Sequence, residues 1–202
     1  MKLILWSLVF MVMSSVSFAS DFVTKGDINK SSIGMFKSFF TKEKCDQILI
    51  DTFTICYDHD RKSPTAVYVE VTGETVEKDI DKRPPFFTDK RVKKEFRTTS
   101  KDYTNTGYDR GHFGASDASH DWDKKHQKAT YSMANIVPQT PFANRYKFIA
   151  LEKHEREMAV KYGRLENLTI AYWNNRPKKI GDSQLHVPSG FAKLYTDGKN
   201  YK

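Results

Sequence analysis

The chain has 202 residues, with 33 Lys+Arg against 25 Asp+Glu, a formal charge of +8 and a pI near 9.3. That length suits one globular domain, or one domain with an appendage, and 39% hydrophobic with 29% charged residues excludes disorder throughout. Two cysteines exclude a disulfide-dense scaffold and a four-Cys zinc site, while the basic excess favours a polyanion (nucleic acid, anionic membrane or acidic sugar) without choosing among them.

Lys2 is the only charge before Asp21, Leu3 to Met13 is almost wholly apolar, and Ser17-Phe18-Ala19 places small residues at the −3 and −1 positions of a cleavage site. This pattern predicts a signal peptide over residues 1–19 and an exported protein, periplasmic or extracellular. The alternative, a retained anchor, is disfavoured because a spanning helix needs ~20 apolar residues. No later segment could span a bilayer. Residues 20–44 are then an irregular or partly helical arm, and 45–202 the main domain. In an exported chain Cys45 and Cys56 read as a structural disulfide; two buried free thiols are the other reading.

Thr52 to Tyr57 alternates apolar and polar residues, and Thr65 to Thr72 is rich in Val and Tyr, so a strand pair is expected around the polar Asp58-His59-Asp60 turn. Residues 74–107 read as a long loop. A short strand is expected around Tyr108 to Phe113, then a polar stretch over 114–130, then an apolar segment Ala134 to Val137. A helix follows. Thr140 can cap it, Pro141 suits its first turn, and Gly163 suits the position past its end. Phe142, Tyr146, Ile149, Met158 and Tyr162 are its expected apolar face. Further strands are predicted at Leu168 to Trp173, Leu185 to Val187 and Phe191 to Tyr195. Strands before and after one principal helix indicate an α+β fold, a sheet layered with helix.

Asp109-Arg110-Gly111-His112 suits work on a phosphate. The imidazole can take a proton near neutral pH, and the guanidinium can fork onto phosphate oxygens. An ordinary turn with a half-buried His is the plainer reading of four residues alone. Asn144, Glu152 and Arg156 fall on the predicted helix. On an ideal α-helix Asn144 and Glu152 lie about 80° apart, and Glu152 and Arg156 are neighbours. An amide oxygen and a carboxylate are hard donors suited to Mg²⁺.

These spacings together resemble the DNA/RNA non-specific endonuclease family, the ββα-metal nucleases. The matching string is Asp109 to His112, Asn135 to Gln139, Asn144 nine residues after Asn135, Glu152 eight later and Arg156 four after that. Weaker similarity runs through Tyr57-Asp58, Arg61, Pro64, Arg83, Phe86 and Asp89, then Val187-Pro188 and Phe191 to Lys193. The resemblance implies an antiparallel sheet with one catalytic helix and long loops. It implies a Mg²⁺-dependent hydrolase (Mn²⁺ as a substitute) acting on DNA and RNA and leaving 5′-phosphate ends. It also implies roles: His112 the general base, Asn144 the direct metal ligand, Glu152 the carboxylate ordering the metal's water shell, and Arg110, Arg156 and Arg83 the arginines around the phosphate. Asn135 orients the His strand and loop, and Asp109 anchors Arg110 or the turn. The chain departs from the family pattern after the motif His, where Phe113-Gly114-Ala115-Ser116 stands, and it stops soon after the last strand, leaving that sheet edge open or closed by the N-terminal arm.

The basic clusters Lys90-Arg91 with Lys93-Lys94, Lys124-Lys125 with Lys128, and Lys178-Lys179 could track a phosphate backbone. Each alone reads as a solvated face. His120 and His126 around Trp122 match no tight zinc spacing. Tyr103, Tyr108 and Tyr131 are candidates for base stacking, with packing the plainer reading. Two other functions stay open: a module of this fold that binds without cutting, and an HNH-type nuclease using His154 as a helix-borne ligand. An inhibitor protein and the oligomeric state are not legible in the sequence.

Overall fold

The structure, a computed structural model, describes residues 10–11, 36, 38–41, 45–50, 53–76, 80, 82–120 and 122–197. Most of the expected signal peptide and arm lie outside the described residues.

An antiparallel sheet of order β1-β10-β7-β4-β3-β2 organises the chain. Its strands are β1 (Phe10–Met11), β2 (Asp46–Ile50), β3 (Phe53–Asp58), β4 (Ser63–Thr72), β7 (Arg164–Tyr172) and β10 (Gly190–Thr196). β2 had no signal in the sequence pattern, whereas β3 and β4 pair as expected, with Phe53 opposite Val69 and Cys56 opposite Ala66. β1 adds Phe10 and Met11 to the outer edge of β10.

Period-2 alternation along β4 sorts the core. Val67, Val69 and Val71 face one layer with Phe53, Ile55, Ala159 and Leu165. Ala66 and Tyr68 face the other, where Leu168, Cys45, Cys56, Phe36 and Phe40 close over the sheet. Phe36 and Phe40 show that the end of the arm covers this second face. Cys45 and Cys56 are joined by a disulfide within that layer. Replacing both by Ser should lower stability by ~2–3 kcal/mol through the freed unfolded chain. Thermal melts with and without reductant check this, and cleavage measured in the cold should be unchanged, since neither sulfur enters the site.

The helical body occupies residues 141–162. It opens on a π-helical stretch, Ala143–Phe148, and continues as an α-helix, Ile149–Tyr162, called α2 below; α1 is the shorter Lys124–Thr130. Thr140 caps the start, its Oγ1 accepting from the Ala143 N–H at 3.2 Å. Gly163 ends α2 with φ 79°, a left-handed geometry that costs glycine little. The expected apolar face is corrected in its first half: Phe142, Tyr146 and Ile149 are 60%, 66% and 56% exposed, whereas Met158 packs against the core as expected. The inward positions are instead Phe148, Glu152, Glu155 and Ala159, spaced as one helix face. Two of them are carboxylates, which a hydrophobicity pattern assigns to solvent. Glu155 is accepted because Asn167 on β7 and Lys193 on β10 meet it, and the Lys193 charge also acts on Glu152.

β5 (Asp109–His112) and β6 (Ile136–Gln139) form a separate antiparallel hairpin leading straight into the helical body. A third cluster, including Tyr103, Met133, Ile136 and Leu185, supports it. Leu185 and His186 make β9, paired with β8 (Lys179–Ile180).

Candidate active site

The β5–β6 hairpin and the start of the helix place the motif residues together. Gly111 faces Val137 across the hairpin. A Cβ on Gly111 would lie 2.3 Å from the Gln139 side chain, which crosses there and donates from Nε2 to the His112 carbonyl at 3.3 Å. Glycine is therefore required for that amide to brace the strand.

The His112 ring lies between Phe86 and Tyr131, at centroid distances of 5.8 and 4.8 Å. Thr130 Oγ1 donates its single proton to the Gln127 carbonyl at 2.8 Å. In its long 3.5 Å contact with His112 Nε2 it can therefore only accept. The network assigns the ring proton to Nε2 and leaves Nδ1 as the lone-pair nitrogen. Burial, with Arg83 and His120 adding positive charge, pushes the His112 pKa down to about 3, so the ring is neutral at neutral pH.

Asn135 is wholly buried and makes four hydrogen bonds. Oδ1 accepts from the Gly114 and Ala115 N–H groups, and Nδ2 donates to the Ala115 and Thr130 carbonyls at 2.8 and 2.9 Å. It ties the loop after His112 to the end of α1 and is a positioning residue.

Asn144 sits in the π-helical stretch, a distortion frequent at functional sites. The i→i+5 bonding there removes the simple 80° projection onto Glu152. Asp109 holds Asn144 and Arg145 and not Arg110: Oδ2 accepts from Asn144 Nδ2 at 3.0 Å and from Arg145 Nε at 2.8 Å, and Oδ1 from Arg145 Nη2 at 2.9 Å. These hydrogen bonds, the Arg145 pair foremost, hold the Asp109 carboxyl below its usual range. Because Nδ2 is committed to Asp109, Oδ1 is the atom of Asn144 left available, and among the described residues no protein group donates to it.

Arg110 is exposed, with its guanidinium 5.4 Å from the Phe86 ring centroid. Arg83, 75% exposed, pairs with Asp117 at 3.0 Å. Glu152 is half-buried. Burial pushes its carboxyl up to about 7, Lys193 and Arg156 pull the other way, and Glu155 and Asp117 add to the rise. Arg83, Asp117, Glu152 and Arg156 thus form one electrostatic neighbourhood. His154 is not in it by any contact; its ring stands edge-on to Tyr195 at 6.1 Å. His120, Trp122 and His126 stack on one another, and among the described residues no three His, Cys, Asp or Glu side chains could hold a metal.

Sequence reasoning passed over Glu155, one turn from Glu152. Its Oε1 accepts from Ser119 Oγ at 3.0 Å, and its Oε2 from Lys193 Nζ at 3.0 Å and from Asn167 Nδ2. A Lys inside the apolar run Phe191 to Tyr195 was the available signal.

The neutral histidines carry a pH consequence. His120, buried with Nδ1 donating to the Ser116 carbonyl, is lowered to about 4, chiefly by burial. The unfolded chain protonates both His112 and His120 near 6.5, so their stabilisation is complete above that pH and is lost as pH falls toward 4 and 3. Glu152 acts oppositely between about 7 and 4.5, where the fold holds the extra proton. His186, also lowered by burial, adds to the histidines, so stability falls as pH drops from 6.5 to 4.5. Denaturant titrations across that range measure the slope, and His120→Gln should make it shallower.

Comparisons with known proteins agree with this arrangement. The family model described as DNA/RNA non-specific endonuclease matches residues 32–202. The chain is 29% identical to mitochondrial Endonuclease G of Homo sapiens over 152 residues, covering 75% of this chain and 48% of the relative. It is 28% identical to the mitochondrial nuclease of Saccharomyces cerevisiae over 184 residues, covering 82% and 55%. The chain spans about half the length of these curated relatives. A crystal structure of the EndoG/EndoGI complex superposes with TM-score 0.69 at 24% identity, over 82% of this chain and 73% of that one, and shares the fold. With its motif residues gathered on one hairpin and one helix, and the family model matching from residue 32 to the end, the chain belongs to the DNA/RNA non-specific endonuclease family.

Proposed function

We propose that this protein is an exported, Mg²⁺-dependent endonuclease that hydrolyses phosphodiester bonds of DNA and RNA and leaves 5′-phosphate and 3′-hydroxyl ends. The observation that supports this most is the pairing of a neutral imidazole with an amide oxygen to which no group among the described residues donates, on adjoining elements tied together through Asp109.

The residues fit a single magnesium ion. Mg²⁺ keeps most of its waters and needs few protein donors. Asn144 Oδ1 would hold it, and Glu152 would order its water shell. When bound, it supplies Lewis-acid stabilisation to the phosphoryl group and the leaving 3′ oxygen. A neutral amide donor leaves its charge uncancelled. His112 Nδ1 takes the proton of the attacking water, and Nε2–H against Thr130 stabilises the imidazolium that results. Arg110 and Arg156 hold the phosphate oxygens. Arg83, tied to Asp117, offers a more exposed third cation near His112. The +8 charge favours encounter with any polyanionic strand. The EndoG/EndoGI complex adds an inhibitor protein as a class of partner.

The test is a gel assay of residues 20–202 on plasmid, single-stranded DNA and RNA. Cleavage of all three with Mg²⁺, abolished by chelator, is expected. Retention of nucleic acid without cutting would indicate a binding module instead.

A further inference from the structure

Beside the proposed phosphate site lies an open cavity of about 490 Å³, lined by Phe86, Tyr103, Thr104, Tyr108, Asp109, Arg110 and Asn144. That volume suits a small planar ligand. Three of the lining groups are aromatic. Tyr103 is buried, its hydroxyl donating to the Ile136 carbonyl at 3.3 Å, and forms part of the floor. Phe86 and Tyr108 are half-buried. Each carries a cation: Arg110 Cζ is 5.4 Å from the Phe86 centroid, and Lys178 Nζ is 4.9 Å from that of Tyr108.

We propose that this cavity is a base-stacking subsite, which receives the nucleobase of a nucleotide next to the cleaved phosphate. The proposal rests on the nuclease reading above and specifies how the substrate is seated. Arg110 and Asn144 line the cavity and also belong to the phosphate site, so an occupant is within one nucleotide of the chemistry. Phe86 and Tyr108 offer π-surface, which every base can use. Arg110 and Lys178 place positive charge where the backbone of that nucleotide runs. The carboxylate in the wall is engaged by Asn144 and Arg145, from which it accepts three hydrogen bonds, so the aromatic faces are the main contact for a base. Stacking as the main contact gives binding that tolerates any base. A base must leave its stack to enter, so single strands and locally opened duplexes are the favoured substrates.

The test uses a single-stranded DNA oligonucleotide and its copy with one internal base replaced by hydrogen at an abasic tetrahydrofuran site. Wild-type protein should cut one of the two bonds flanking the abasic position about 10-fold more slowly than the same bond in the intact strand, with distant bonds unaffected. Tyr108→Ala should raise KM for the intact strand by a similar factor and lose the difference between the two strands; Tyr108→Phe should retain it. Circular dichroism checks that the variants fold. Equal cleavage of both bonds in both strands by the wild type would overturn the subsite. No cleavage of the intact strand at all would instead overturn the nuclease reading beneath it.

Discussion

His112→Ala is expected to lower the Mg²⁺-dependent cleavage rate by about 10²–10⁴-fold while leaving the fold and nucleic-acid affinity close to wild type. The ring supplies the only neutral imidazole in the constellation, and its unprotonated Nδ1 is set by Thr130 on the opposite nitrogen. The proposed phosphate contacts lie elsewhere, on Arg110 and Arg156, so binding should survive. Burial lowers the His112 pKa, so the free protein presents its ring neutral, ready to accept a proton. Single-turnover rates of the wild type and the variant, with binding measured separately in chelator, separate these contributions. A near wild-type rate for the alanine variant would remove His112 from the chemistry.

The largest expected loss of stability is from Lys193→Met. Lys193 and Glu155 are 1% and 0% exposed and 3.0 Å apart. Burial alone would lower the lysine's pKa, but Glu155 holds it charged and raises it. Methionine keeps the volume and leaves the Glu155 carboxylate enclosed without its counter-charge, which typically costs about 3–5 kcal/mol. Ser119 and Asn167 still donate to it, so the lower end of that range is expected. Adding Glu155→Gln should recover part of the loss, because the uncompensated charge is then gone. Denaturant melts of wild type, Lys193→Met, Glu155→Gln and the double variant at pH 7.5 measure this, and equal stabilities would show that the pair contributes nothing. The same pair anchors the helix bearing Glu152 to β10 and, through Ser119, to the loop after His112.

The strands β3 and β4, the helix with its Thr140 and Gly163 punctuation, and the strand bearing the motif were legible because each follows from local chemistry: alternation, capping and a short spaced motif. The helix's inward face was not. Periodicity finds buried apolar residues, and here the burial is carried by Glu152 and Glu155, made tolerable by Lys193 and Asn167 from strands that lie later in the chain. Conversely, Phe142, Tyr146 and Ile149 follow a helical apolar spacing yet are exposed. The π-helical opening was equally invisible, since it depends on i→i+5 bonding and not on composition. The partner of Asp109 was not legible either. The resemblance implies that it anchors Arg110 or the turn, while the two strands and the helix bring Arg145 to it from 36 positions away.

The central claim is that Asn144 and His112 form one metal-dependent site. A Mg²⁺ titration of the cleavage rate for wild type and Asn144→Ala tests it most directly. The substitution removes the one proposed protein ligand and leaves the Asp109–Arg145 pair intact. The account predicts a much higher Mg²⁺ concentration for half-maximal rate and a lower maximal rate. A wild-type titration curve for Asn144→Ala would contradict it.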